Sequence, residues 1–361
     1  MKKKQFLGKH TGHLTGLDIF RVWAAFTILM FHSISYAGCN YGILQPFIKM
    51  GAIFMTGFFM LSGYTLFYSY QDKNFTNIKN ITLFYGKRAV AILPVYYVIA
   101  MLYILLLGKE TYLQNIILAP VEILGIQSMF SSLFSVSHND GTWFISCIIS
   151  CYAVFPYIHI CVKQLDKKIK LLLIIIFASV LFYSPLVVEI FNTMWIYDNP
   201  FFRILEFMIG VFLASITLNI EKEYILTRIL FNKIAIVIEV VVMVAGVTVA
   251  YYLNISRDNY MLYSWICLPA FSLILPGLAY TEWKYIGKSR VLAFFSKISY
   301  CFFLAQYFVW PIIGLIKINN NIICIFYIFI LCTIIACIFY YCIELPSKKY
   351  FIEKLKIKEL E

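Results

Sequence analysis

Two side chains in one apolar run are equipped for chemistry. The run FRVWAAFTILMFHS at 20–33 carries a permanent cation, Arg21, and a titratable imidazole, His32. Eleven helical residues turn through about 1,100°, three turns plus about 20°, so on a helix both side chains share one face. The rise between them is roughly 16 Å, about half the hydrocarbon thickness of a bilayer. A charge at that depth costs about 2.5–3.5 kcal/mol even on mild insertion scales, so each group needs a partner or a task. An Arg binds phosphate through paired donors, and a His moves protons near neutral pH. The shared face thus offers a fixed cation near one surface and, deeper in, a proton-transfer group. Asp18, one turn before Arg21, is placed to pair with it.

The elements that position these groups follow from composition. The 361 residues are 62% hydrophobic and only 13% charged, with mean hydropathy +0.82, more apolar surface than a soluble chain of this length can cover. Spanning runs fall at about 17–38, 47–69, 89–107, 143–162, 171–190, 200–219, 233–253, 260–280, 298–316 and 321–343. The expected fold is all-α: a polytopic integral membrane protein with about ten transmembrane helices and both termini cytoplasmic. The MKKK start leads into an apolar run with no small-residue cleavage site, so that run reads as a retained first span.

An eleventh candidate, Tyr112–Phe134, holds Gln114, Asn115, Pro120, Glu122 and Gln127. If it does not cross, 24 of the 30 Lys and Arg residues fall on one side, which the positive-inside rule makes cytoplasmic. If it crosses, the cluster at 163–170 is thrown outside. The chain 1–361 is therefore read as a single membrane domain. Residues 108–142 form an outer loop that dips into the bilayer or lies along it, and 345–361 form a basic amphipathic tail on the inner leaflet. The net charge of +12 fits anionic membrane lipids and not nucleic acid, because the cations cluster between spans. The 10 cysteines include no CxxC pair and sit mostly in apolar runs; Cys147 and Cys151 share a helix face, but read as small buried hydrophobes, so no metal site is expected.

The stretch GLDIFRVWAAFTILMFHS resembles the first helix of the acyltransferase-3 family of integral membrane acyltransferases, whose hallmark is an Arg, ten residues, then a His. The likeness continues in order: FFMLSGYTLF at 58–67, FYGKRAVAILPVYY at 84–97, GTWFISCIISCYAVFP at 141–156, FFRILEFMIG at 201–210 and YYCIELPSKKY at 340–350. Two positions depart from the family pattern. Ala91 stands where a second Arg is common three residues after the one matched by Arg88. Gln306, in SYCFFLAQ, stands where a His is usual and cannot shuttle a proton.

The resemblance implies O-acyl transfer, usually acetyl, from cytoplasmic acyl-CoA to a hydroxyl on a cell-surface or lipid-linked glycan in the bacterial cytoplasmic membrane. Acyl-CoA is the donor substrate, and no permanently bound cofactor is expected. Transfer is either direct or through a separate extracytoplasmic transferase partner. The implied catalytic residues are His32 and Arg21, with Arg88 and Lys87 binding the donor. Acceptor or supporting roles fall to Asp18, Ser62, Gly63, Tyr64, His138, Trp143, Arg203, Glu206, Tyr300, Gln306 and Glu344. Within LSGY, Gly63 reads as a bend that exposes backbone amides, with Ser62 a backbone feature of that bend or a nucleophile. Arg203 and Glu206 are spaced as an i,i+3 pair, which serves structure or substrate. His138 and Asp140 precede Trp143 in the outer loop, His159 reads as interfacial, and His10 and His13 as cytoplasmic. A rival reading from another class is a proton-coupled transporter or glycan exporter using His32, Glu239 and Arg21 as a relay. Transporters commonly show repeat symmetry, which is not detectable here. A membrane ligand sensor ranks behind both.

Overall fold

A computed structural model describes residues 14–106, 108, 111–130, 142–191, 195–218, 229–253, 262, 264–316, 318 and 320–358. Its long helices are α1 Thr15–Ala37, α2 Phe54–Tyr70, α3 Ile78–Leu106, the short α4 Tyr112–Leu124, α5 Trp143–Gln164 and α6 Lys167–Phe191. They continue as α7 Pro200–Thr217, α8 Lys233–Tyr252, α9 Ser264–Tyr280, α10 Arg290–Ile316 and α11 Asn321–Phe339. A π-helical turn, Tyr340–Glu344, then leads into α12, Leu345–Lys358. Among the described residues nine helices are long and apolar enough to cross a membrane, α11 and α12 counting as one. α9, at 17 residues, lies at the short end of spanning length. The all-α polytopic membrane fold read from the sequence is the fold observed.

Polar residues punctuate the apolar runs where helices must start and stop. Asn199 caps α7 by accepting the Phe201 amide at 2.8 Å, with Pro200 in the first turn. Asn232 and Asn320 cap α8 and α11 in the same way. Gly38, at φ 65°, closes α1 in the left-handed conformation. α4 is 13 residues long, roughly 20 Å, against the ~30 Å of a hydrocarbon core. It is docked to α3 by hydroxyls: Tyr96 donates to the Glu122 carbonyl and Tyr97 to the Ile123 carbonyl, both at 2.7 Å.

α2 is central: 78% of its apolar window is buried, against 22% for α6 and α8, which leaves those two facing lipid. Its tight partner is α7. A Cβ added at Gly63 would lie 2.0 Å from the Phe207 carbonyl oxygen, and one at Gly210 would lie 2.0 Å from that of Met60. Reciprocal glycines thus let two backbones touch, which is how membrane helices gain packing energy without a hydrophobic drive. The expected bend at Gly63 is absent. α2 runs unbroken through LSGY because the glycine serves a helix contact, and the intact ladder leaves no amide free.

Candidate active site

α1 and α10 carry the central geometry. They are joined at both levels of the membrane by polar side chains. Near the N-terminal end of α1, Arg21 Nη1 donates to Asp18 Oδ1 at 2.9 Å and to Ser296 Oγ at 3.0 Å, and Ser296 donates to Asp18 at 2.5 Å. The buried carboxylate is thereby neutralised and the guanidinium held in one orientation. Three turns along α1, His32 Nδ1 lies 2.8 Å from Gln306 Oε1. An amide oxygen only accepts, so Nδ1 carries the proton, and in the neutral ring the lone pair sits on Nε2. Gln306 is fully buried, and its Nε2 has no partner among the described residues; the same holds for Trp310 Nε1, one turn further along α10. The Trp310 ring centroid is 6.3 Å from that of His32.

A cavity of about 290 Å³ runs between α1, α2, α3, α5, α10 and the π turn with α12. Its end towards the first turns of α1 and α10 is basic, with Arg21, Arg88 and Lys348 against the single carboxylate of Glu344. Ser62, Tyr152, Ser299 and Tyr300 add hydroxyls. The opposite end is apolar, lined by Met55, Phe58, Phe144 and Phe303. Phe303 is three residues before Gln306, so the cavity stops roughly 5 Å along α10 from the partner of His32. Arg88 lies over the Tyr152 ring at 5.7 Å, and its Nε has no hydrogen-bond partner among the described residues. Its guanidinium faces the cavity, the kind of group that pairs with anions. Tyr300 donates to the Ile92 carbonyl at 2.9 Å, tying α10 to α3 on the same wall. Ala91, where the resemblance led to expect a second Arg, also lines the cavity.

The structure thus gathers Arg21, Arg88, Ser62, Tyr300 and Glu344 around one space, and sets His32 and Gln306 just beyond it. Other expected residues lie elsewhere. Lys87 is exposed and does not line the cavity. Tyr64 points into the α7 packing, its hydroxyl 2.7 Å from Thr217 Oγ1. Arg203 and Glu206 form a fully buried bidentate pair at 2.8 Å, with Thr56 donating to Glu206 at 2.8 Å. Phe59, Trp143 and Tyr197 surround the guanidinium at 4.8–5.5 Å, and Arg203 Nε donates to the Tyr197 carbonyl at 2.8 Å. With every partner internal, this pair joins α7 to α2 and α5, and Trp143 belongs to its cage. His159 is buried within the bundle: Nε2 bonds the Tyr70 carbonyl at 2.9 Å beneath Phe67, Phe75 and Phe155. Arg21 takes Asp18 as its carboxylate, not Glu239. His138 and Asp140 lie outside the described residues, and no cluster of three metal-ligating side chains occurs among the described ones. The sequence reading missed Lys348 and the wall residues Tyr152 and Ser299. The available signal was the i,i+4 spacing of Lys348 from Glu344 on a terminal helix.

A bundle of apolar helices with a charged, partly open internal cavity defines a multi-pass membrane protein built around a buried site. The family model described as an acyltransferase domain, that of the acyltransferase-3 family, matches residues 14–342, and the chain belongs to that family of membrane acyltransferases. No curated protein and no solved structure matches it.

Proposed function

We propose that the protein moves an acyl group, most simply acetyl, from cytoplasmic acyl-CoA to a hydroxyl of a cell-surface or lipid-linked glycan, in the bacterial cytoplasmic membrane. One observation carries this reading: a single cavity with Arg21 and Arg88 at its basic end and the His32–Gln306 pair a turn beyond its apolar end. The basic end lies by the N-terminal end of α1, the cytoplasmic end on the positive-inside reading, and acyl-CoA is cytoplasmic. Donor phosphates bind the guanidiniums, and the thioester arm lies along Leu61, Ile148 and Phe303, which exclude water.

His32 then acts through Nε2. It takes the proton of the attacking hydroxyl as the oxygen bonds to the thioester carbonyl carbon. The carbon–sulfur bond breaks, and the imidazolium returns the proton to the departing CoA thiolate. The alternative route has Nε2 itself attack the thioester and pass the acyl group outward in a second step. Gln306 serves both by fixing which nitrogen is free. The relay of the transporter reading draws no support from the geometry, because the carboxylate beside Arg21 is Asp18 and not Glu239.

Mass spectrometry of surface glycans from cells with and without the protein tests the reading. An acyl ester present only with the protein is expected; identical glycans in both would refute the glycan acceptor.

A further inference from the structure

The mechanism above uses two cations of the cavity and leaves a third unexplained. Lys348 lines the same cavity from α12, the C-terminal helix, and is paired with Glu344 one turn earlier. Its side chain is 40% exposed while that of Glu344 is 4% exposed, so the lysine sits at the mouth and the carboxylate inside. The placement is built by three features. The π-helical turn Tyr340–Glu344 widens the backbone where α11 meets α12, a distortion that costs regular hydrogen bonding and recurs at functional sites. Glu344 Oε2 accepts a second hydrogen bond, from the Cys301 thiol at 3.0 Å, so the carboxylate keeps a partner when the lysine moves away. Phe351, two turns along α12, lies against Gly86, where an added Cβ would meet the ring at 2.5 Å; Arg88 is two residues further on. α12 is therefore seated on the segment of α3 that presents Arg88.

We propose that Lys348, delivered by the C-terminal helix, is a phosphate-binding residue of the donor site, held by Glu344 until a phosphorylated thioester enters. The inference rests on the acyl-CoA reading and deepens it. The chemistry favours it because CoA brings a diphosphate and a phosphomonoester, the latter alone carrying about −1.5 to −2 charges, more than Arg21 (shared with Asp18) and Arg88 offset. Glu344 supplies the waiting partner, holding the half-exposed ammonium at the mouth of the cavity before the donor arrives. Glycine at 86 leaves room for the Phe351 ring, so the helix closes on the site.

The test measures binding of CoA and of pantetheine, its phosphate-free arm, to the full-length protein in lipid nanodiscs by calorimetry. Lys348→Ala is expected to weaken CoA by about tenfold and leave pantetheine unchanged, while Lys348→Arg retains CoA within about threefold. Gly86→Leu, which displaces Phe351 without touching the lysine, is expected to weaken CoA to a similar extent. Equal weakening of CoA and pantetheine by Lys348→Ala, or no change in either, overturns the role of Lys348 while leaving the donor reading in place. A wild-type protein that binds no CoA overturns both together.

Discussion

At the scale of single residues, the geometry turns on an amide oxygen where a second imidazole was expected. Gln306 cannot carry a proton, but its Oε1 at 2.8 Å from His32 Nδ1 selects the tautomer and leaves the lone pair on Nε2, the nitrogen the proposed mechanism uses. On that mechanism Gln306 is a positioning residue. Gln306→Leu is expected to lower kcat by at least about tenfold with the donor KM unchanged, and Gln306→Glu, which keeps an acceptor, to retain most of the rate. Steady-state CoA release measures both, and an unaltered kcat in the Leu variant would contradict the assignment. Much at this scale was legible in the sequence. Eleven-residue spacing placed Arg21 and His32 on one face, and three-residue spacing paired Asp18 with Arg21. The partners that complete them were not, because Ser296 and Gln306 lie more than 270 positions away along the chain. Helical periodicity tells which residues share a face, not which helix that face meets.

At the scale of elements, glycine shows how one residue type carries two meanings. Gly63 in LSGY is as compatible with a bend as with close packing, and only its partner Gly210, on a helix remote in sequence, decides for packing. Gly210→Val is expected to separate α2 from α7 and to destabilise the protein by about 1–3 kcal/mol or more, read as lost monodispersity on gel filtration. Unchanged thermal stability would mean the helices do not approach as described. The turn before α7 makes a second expectation. Asp198 is buried, its Oδ1 lacks a partner among the described residues, and burial pushes its carboxyl up to about 6 from an ordinary 3.8. The folded state therefore binds that proton more tightly than the unfolded chain. The stability this group contributes is complete below about pH 4 and is lost as pH rises through about 6. Melting curves from pH 4 to 7 are expected to show this decline in the wild type and a shallower one in Asp198→Asn. Parallel slopes would contradict it.

At the scale of the molecule, fold class came from apolar run length, and the expected orientation from the sidedness of lysine and arginine. Both are strong because a bilayer penalises exceptions by several kcal/mol each. The cavity was not legible, since it is assembled from five helices and a terminal segment that alternate in direction along the chain. Its form nevertheless explains why the two costly residues of α1 are separated by three turns. On the proposed reading, one belongs to the donor end and the other to the point of transfer, with apolar cavity wall between. The most direct test uses inside-out membrane vesicles given labelled acetyl-CoA on the exposed cytoplasmic face, comparing the wild type with His32→Ala at equal membrane levels. Label is predicted to reach glycan in the lumen with one CoA released per acyl group, and His32→Ala to be slower by at least about 10²-fold while still binding CoA. Transfer by His32→Ala at the wild-type rate would contradict the account.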